Sequence, residues 1–415
     1  MKEDGVGKDG GEVLSPRSAA NDPKLRLPVS TDPPGPQNPP RQLVWLIFGA
    51  TGHMGRSLVR AALIHNDPVC AIGQSHSTDT VESMRSLHVV SPSDSTTEEP
   101  TPHHLNYLPL LCDVRVRTTV SSALQSALSH FGAIDIVVNC SGHGIIGACE
   151  DQSESDVRNQ FETNFMGTLN IIQMSLPYFR EQHGGRYVIF SSISGALGVP
   201  GLGPYCATKY AVEGLIESML YEVDAFGIKA TLVVGGHMRR DEGREVVEIR
   251  KDGTSRAHLP AHPTGTESGS GSLRENPPRP FQHFHIKPAS APYASITSPA
   301  GHFKRMLQWI GDKQPASAIR SAELIWQLGH CSFPPLRLLL GSYAVESIRD
   351  RLRSIIEEIE DWKHLSFAAV EMDTEMPGEG KGHLPDGVGA DGEEERDAHE
   401  DGDEERDVAM DGWSS

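Results

Sequence analysis

The sequence predicts an α/β fold: a single doubly wound parallel sheet with helices on both faces, disordered tails and a long insertion. Three observations predict it. Short unbroken apolar runs alternate with segments of helical period, the pattern of parallel strands buried on both faces. The first such run ends in a glycine-rich turn that opens a helical pattern. Polar stretches without apolar periodicity flank and interrupt the alternation, and these cannot bury enough apolar area to fold.

Residues 1–40 are rich in Gly, Pro, Asp and Lys and are expected to be a disordered tail. The folded domain is expected over residues 41–365. Leu43-Val44-Trp45-Leu46-Ile47-Phe48 reads as the first buried strand. Gly49, Gly52 and Gly55 follow, then a helical pattern through Leu58, Val59, Ala62 and Leu63. Strand, glycine turn and helix are the context of a phosphate-binding turn. Glycines let the backbone approach a pyrophosphate, and the helix N-terminus supplies donors and positive potential. Gly49, Thr51, Gly52, Met54 and Gly55 are the candidate dinucleotide contacts of this turn.

Pro68-Val69-Cys70-Ala71-Ile72-Gly73 reads as the second strand. Its end is where an acidic residue would grip the ribose 2′-hydroxyl of NAD. Gly73, Gln74, Ser75 and His76 stand there instead, with no carboxylate before Asp79. That favours NADP, with NAD as the alternative. Arg56, beside the glycine turn, either compensates or is an exposed helix residue. Residues 107–113 and 134–139 read as the third and fourth strands, with a helix over about 117–130 between them. Asp113 and Asn139 fall at carboxyl ends of strands, where such sheets bind ligands; turn or capping roles suit them equally.

Tyr205 and Lys209 are four residues apart in a helix-favouring run, so both side chains share one face. A free tyrosine loses its proton near pH ~10. A neighbouring ammonium favours the phenolate, and a displacement of ~3 in pKa needs ~4 kcal/mol.

These motifs together resemble the short-chain dehydrogenase/reductase family, of the Tyr-x-x-x-Lys type. The resemblance covers about residues 43–240, with a weaker continuation to about 365. It rests on the glycine turn, on Asp113-Val114, on Asn139-Cys140-Ser141-Gly142, and on four residues in order: Asn164, Ser192, Tyr205 and Lys209. It implies a Rossmann sheet and hydride transfer between a nicotinamide and a carbonyl or secondary alcohol, with the cofactor carrying the hydride. Ser192 would hold the substrate oxygen, Tyr205 would exchange the proton, and Lys209 would bias Tyr205 and hold the nicotinamide ribose. Asn164 would support a water leading protons away from Lys209. Val114, Gly142 and Gly236 join the cofactor contacts by the same resemblance. Taken singly, Ser192 as a helix cap and Asn164 as an interior hydrogen-bonding residue are the bland alternatives. The substrate class implied is a mostly apolar alcohol or ketone. A homodimer or homotetramer through the helices around residues 161–176 and 205–223 is also implied.

Three departures stand out. His53 occupies the place of the family's middle glycine, giving an atypical turn. Gly235-Gly236 replaces Pro-Gly, and Arg240 stands near an expected threonine. Residues 241–290 form a Gly-, Pro- and Ser-rich stretch where a substrate-covering segment belongs, read as a mobile lid or disordered insertion. These departures motivate a second reading, a catalytically weak or inactive dinucleotide-binding sensor or scaffold.

The chain carries a net charge of −19. Residues 371–415 hold 17 Asp or Glu against 3 Lys or Arg. The acidity therefore belongs to a C-terminal tail, expected to be disordered and to repel nucleic acid. After the insertion, residues 316–328 and 344–362 read as helices, and 335–341 as a last strand. Six scattered cysteines without a CxxC pair suit reduced thiols in a cytoplasmic setting. No membrane span and no metal site are expected; His283, His285 and His302 have no supporting Cys or acid cluster.

Overall fold

In a computed structural model, the structure describes residues 19–20, 22, 25–74, 106–236, 238–239, 284–302, 305 and 316–365. Ser75, His76, Asp79, Arg240, His283, most of the 241–290 stretch and the 371–415 tail lie outside the described residues. One compact unit spans residues 1–361 and a second spans 362–415.

The described strands are β1 (Trp45–Phe48), β2 (Val69–Gln74), β3 (Tyr107–Cys112), β4 (Ile136–Asn139), β5 (Gly144–Ile146), β6 (Gly185–Phe190), β7 (Ile228–Gly235), β8 (Met238–Arg239), β9 (Phe284–Ile286), β10 (Ala316–Ser317) and β11 (Arg337–Leu340). The helices are α1 (His53–Ile64), α2 (Arg117–Phe131), α3 (Glu154–Phe161), α4 (Gly167–Glu181), α5 (Gly203–Val223), α6 (Ala318–His330) and α7 (Ser342–Trp362). The main sheet has the order β11-β7-β6-β4-β1-β2-β3, and every pairing in it is parallel. The chain leaves β1 through β2 to β3, then returns to β4 on the other side of β1. The crevice outside the carboxyl ends of β1 and β4 is therefore the switch point at which an open α/β sheet takes ligands.

Alternation along β1 builds both layers. Trp45 and Ile47 face a cluster with Leu58 and Val59 of α1 and Ile325 and Trp326 of α6. Leu46 and Phe48 face one with Leu124 of α2, Ile171 of α4 and Val212 and Ile216 of α5. All four β1 side chains are fully buried, each contributing roughly 2 kcal/mol or more on area grounds. Asp67 fastens this layer to α6, accepting hydrogen bonds from the indole nitrogens of Trp45 (3.0 Å) and Trp326 (2.8 Å).

The first strand starts at Trp45 rather than residue 43, because the amides of Leu43 and Val44 donate to the carboxylates of Asp67 and Asp135 instead of a neighbouring strand. Residues 25–40, expected to be disordered with the rest of the N-terminal tail, are ordered. Leu27 is buried, its amide donates to Gln327 Oε1 (3.1 Å), and Gln327 Nε2 donates to Leu25 O (2.8 Å). A single apolar anchor and a side-chain amide leave no period to read. The end of the expected insertion is likewise ordered: β9 pairs parallel with β5.

Candidate active site

Gly49 follows β1 with φ +76°, a region only glycine occupies without strain. A Cβ there would stand 2.8 Å from Cys140 C and Ser141 N, so the turn is pressed against the loop after β4. Gly55 is tighter still: a Cβ would meet Gly49 O at 2.2 Å. Gly52 is the N-cap of α1 and has no side-chain cap, and His53 is the first helical residue. The bulkier residue in place of the middle glycine is thus accommodated at the helix start. The first amides of a helix have no intrahelical acceptor, and this start lies at the switch point. Close backbone approach and an uncapped N-terminus fit a pyrophosphate. Met54 is buried and takes part in the core cluster around α1. Thr51 lies in the turn itself, its carbonyl accepting from Arg56 Nε (2.8 Å).

The other expected cofactor residues stand along the same edge. The Asp113 carboxylate is held by Arg115 Nη2 (2.7 Å) and Nε (2.9 Å) and accepts the Arg115 amide, so its side chain closes a turn. Val114 is buried and lines a narrow cleft with Gly49, Ile72, Gly73 and Ser141. Asn139 Nδ2 donates to Thr168 Oγ1 (2.9 Å), and its Oδ1 accepts from Ser141 N (2.9 Å). It thereby shapes the loop that abuts the glycine turn. A Cβ on Gly142 would lie 3.2 Å from Asn164 Oδ1 and 3.8 Å from Lys209 Nζ. Gly236 follows β7, facing Tyr343.

Asn164 sits in a π-turn (Glu162–Met166) between α3 and α4, a bulge frequent at functional sites. Its Nδ2 donates to His143 O (2.8 Å) and Thr208 Oγ1 (3.0 Å), and its Oδ1 accepts from His143 N (2.9 Å). The interior hydrogen-bonding role weighed for it is therefore real: it clamps the loop after β4. Ser192 likewise caps a short 3₁₀ turn, accepting from Ser194 N (3.2 Å), and it lies near enough to the Tyr205 phenol to favour its ionised form.

Tyr205 and Lys209 lie one turn apart on α5, both buried, with Lys209 Nζ 5.7 Å from the Tyr205 ring centre. Lys209 Nζ donates to Phe190 O (2.9 Å) at the end of β6. Burial lowers the Lys209 ammonium to about 8, opposed by the Glu213 charge. The expected lowering of Tyr205 by Lys209 is not what the protein groups produce. Burial pushes the phenol well above its ordinary value, and Ser192 only partly offsets this. Desolvation outweighs the single cation because both groups share the same dry site.

Four neighbours escaped the sequence reading. Glu213, four residues past Lys209, accepts from Ser191 Oγ (2.6 Å) and from Arg337 Nη2 (2.9 Å) and Nε (3.1 Å). Phe284 of β9 lies edge-on to Tyr205, ring centres 5.0 Å apart. The helical spacing of Lys209 and Glu213, and the alternation of Phe284 and Ile286, were the signals available. All six cysteines are free thiols. No group of metal-ligating side chains occurs among the described residues, and none of their helices is long and apolar enough to cross a membrane.

This chain belongs to the short-chain dehydrogenase family, whose sequence profile matches residues 44–249. Oxidoreductase BOA17 of Botryotinia fuckeliana is 26% identical over 328 residues, 79% of this chain and 98% of that protein. The 3-ketodihydrosphingosine reductase of Bacteroides thetaiotaomicron is 40% identical over 127 residues, 31% of this chain and 47% of its own length. The estradiol 17-beta-dehydrogenase 1 of Rattus norvegicus is 31% identical over 158 residues, 37% of this chain and 46% of its own. The crystal structure of a short-chain dehydrogenase from Streptomyces avermitilis superposes with TM-score 0.59 at 25% identity, covering 78% of this chain and 98% of that one.

Proposed function

We propose that this chain is an NAD(P)-dependent oxidoreductase that interconverts a carbonyl and a secondary alcohol on a mostly apolar small molecule. One observation carries the reading: Ser192, Tyr205 and Lys209 converge at the carboxyl edge of the sheet, at whose switch point the glycine turn and the uncapped α1 also lie. A bound nicotinamide dinucleotide would supply or accept the hydride. Ser192, beside the phenol, orients the substrate oxygen. Tyr205 gives its proton to that oxygen in the reductive direction and removes it in the oxidative one. Lys209 provides the positive charge that a developing phenolate needs.

An apolar substrate is supported by the surroundings of Tyr205. Ile146, Leu202, Cys206 and Phe284 form a separate buried cluster around it, with Val199 and Ile286 packed alongside. Estradiol and 3-ketodihydrosphingosine, in the names of two relatives, are mostly apolar molecules of this class. NADP is the preferred cofactor in this reading, since β2 ends at Gln74 rather than a carboxylate.

The test is a single-turnover assay with NADPH or NADH and a panel of apolar ketones. Hydride transfer that Tyr205→Phe abolishes, with cofactor affinity retained, is the expected result. Tight cofactor binding with no transfer to any ketone, unchanged by Tyr205→Phe, would instead identify a sensor.

A further inference from the structure

α7 is amphipathic, yet its apolar side is only partly covered: Val345, Ile348 and Ile355 are half-buried, while Leu352, Ile356 and Ile359 are exposed. Of its 21 residues only Ala344 is buried, whereas α6 buries nine of its 13. Val345, Ile348, Leu352, Ile355 and Ile359 recur at intervals of three, four, three and four. That is the heptad seam of a helix that pairs with another helix. Leu352 and Ile359 on the seam are 55% and 58% exposed, and Ile356 beside it 59%. A helix of this length is only marginally stable in water on its own, and an open apolar stripe marks an interaction face.

The charges of α7 say what covers that stripe. Its first half carries Arg349, Arg351 and Arg353; its second carries Glu357, Glu358, Glu360 and Asp361. Glu346 and Asp350, the acids of the first half, already pair within the helix with Arg349 and Arg353. A helix positive at one end and negative at the other complements a reversed copy of itself. We propose that α7 is the interface of a homodimer, in which the same helix of a second copy lies antiparallel across a two-fold axis.

The heptad spacing sets the register. Leu352 lies opposite the partner's Ile355, and Ile348 opposite the partner's Ile359, so four of the five seam residues meet the partner's seam and Val345 falls opposite the partner's Trp362. The same register puts Arg351 opposite the partner's Glu358, and symmetry repeats that pair on the other side. A parallel pairing would set arginines beside arginines and acids beside acids, which costs specificity and affinity. This surface differs from the α4 and α5 faces expected from family resemblance.

Sedimentation velocity on the full chain over a concentration series tests the proposal. The wild type should sediment as a dimer. Leu352→Glu with Ile359→Glu should sediment as a folded monomer, because both side chains are solvent-exposed in one subunit, and its melting temperature should no longer depend on concentration. Arg351→Glu alone should weaken the dimer roughly tenfold, and adding Glu358→Arg should restore it. A wild-type chain that stays monomeric at every concentration overturns the proposal, whether or not α7 then binds lipid vesicles. So does a dimer that survives the double glutamate change, which would assign pairing to another face. Failure of the charge swap to restore affinity overturns the antiparallel arrangement.

Discussion

Lys209 and Glu213 are one helical turn apart on α5, both buried, and the charge of the second counteracts the desolvation of the first. Glu213 is itself held between Ser191 and Arg337. A Cβ on Gly195 would stand 2.5 Å from Glu213 Oε1, so the carboxylate has no room to swing away. The buried cation is thus tuned by a carboxylate that is itself fixed by Ser191 and Arg337.

Glu213→Gln keeps the shape and removes that charge. Burial lowers Lys209 and Glu213 raises it, so the substitution should lower the ammonium further. The alkaline limb of kcat/KM then moves to lower pH. At about pH 8 the variant should lose roughly three- to tenfold, and near pH 6 very little. A pH profile that falls uniformly would mean that Glu213 acts only through folding.

Lys209→Met should make the protein inactive and more stable. An ordinary lysine titrates at 10.5, and burial brings this one to about 8. The unfolded chain therefore binds the proton more tightly than the folded one. Below pH 8 the full penalty is present, on the order of 3 kcal/mol; between 8 and 10.5 it fades and stability rises with pH. The lost hydrogen bond to Phe190 O returns about 1 kcal/mol. Near neutral pH the melting temperature should rise by a few degrees, ~2–8 °C, and the gain should vanish toward pH 10. A melting temperature that falls in the variant would contradict a buried, destabilising charge.

The sheet was legible because strands buried on both faces read as unbroken apolar runs, and β1, β2, β3 and β4 all do. Their limits were less so: residues 43 and 44 are as apolar as Trp45, and only the Asp67 and Asp135 side chains remove them from the ladder. Asn164, Ser192, Tyr205 and Lys209 were legible as residue types in a fixed order. Their energetics were not, because burial reverses the expected direction for Tyr205. Arg337 lies 124 residues from Glu213, and nothing local marks that pair. Phe284 was hidden in a polar stretch, where two apolar residues in alternation carry little weight.

Two glycine substitutions should act with opposite sign. Gly55→Ala places a Cβ 2.2 Å from the backbone oxygen of Gly49, which cannot yield without opening the turn. It should cost ~1–3 kcal/mol and weaken cofactor binding out of proportion to the loss of stability. Gly214→Ala, on α5, meets nothing within 4 Å. It should stabilise by ~0.5–1 kcal/mol through helix propensity and leave cofactor affinity alone. Denaturant melts and a cofactor fluorescence titration on both variants decide this. Equal effects at the two positions would remove the reason for a glycine at 55.

Phe284→Ala should lower the affinity of Tyr205 for its proton. Phe284 is 7% exposed and presents its ring edge-on to the phenol. Burial is the largest cause of the raised Tyr205 value, so admitting water at that edge should bring the phenol back toward 10. A folded-state value above the unfolded one contributes stability that is whole below pH ~10 and is lost as pH rises through the folded value. The variant should therefore lose less stability as pH rises above ~10, while the ~2–4 kcal/mol of packing is lost at every pH. An ultraviolet phenolate titration, taken as the difference between Phe284→Ala and its Tyr205→Phe double variant, isolates the one hydroxyl. Its midpoint should lie below that of the same difference measured with Phe284 in place. An unchanged midpoint would show that β9 does not keep the site dry, and the cover over the phenol would then have to come from elsewhere in the chain.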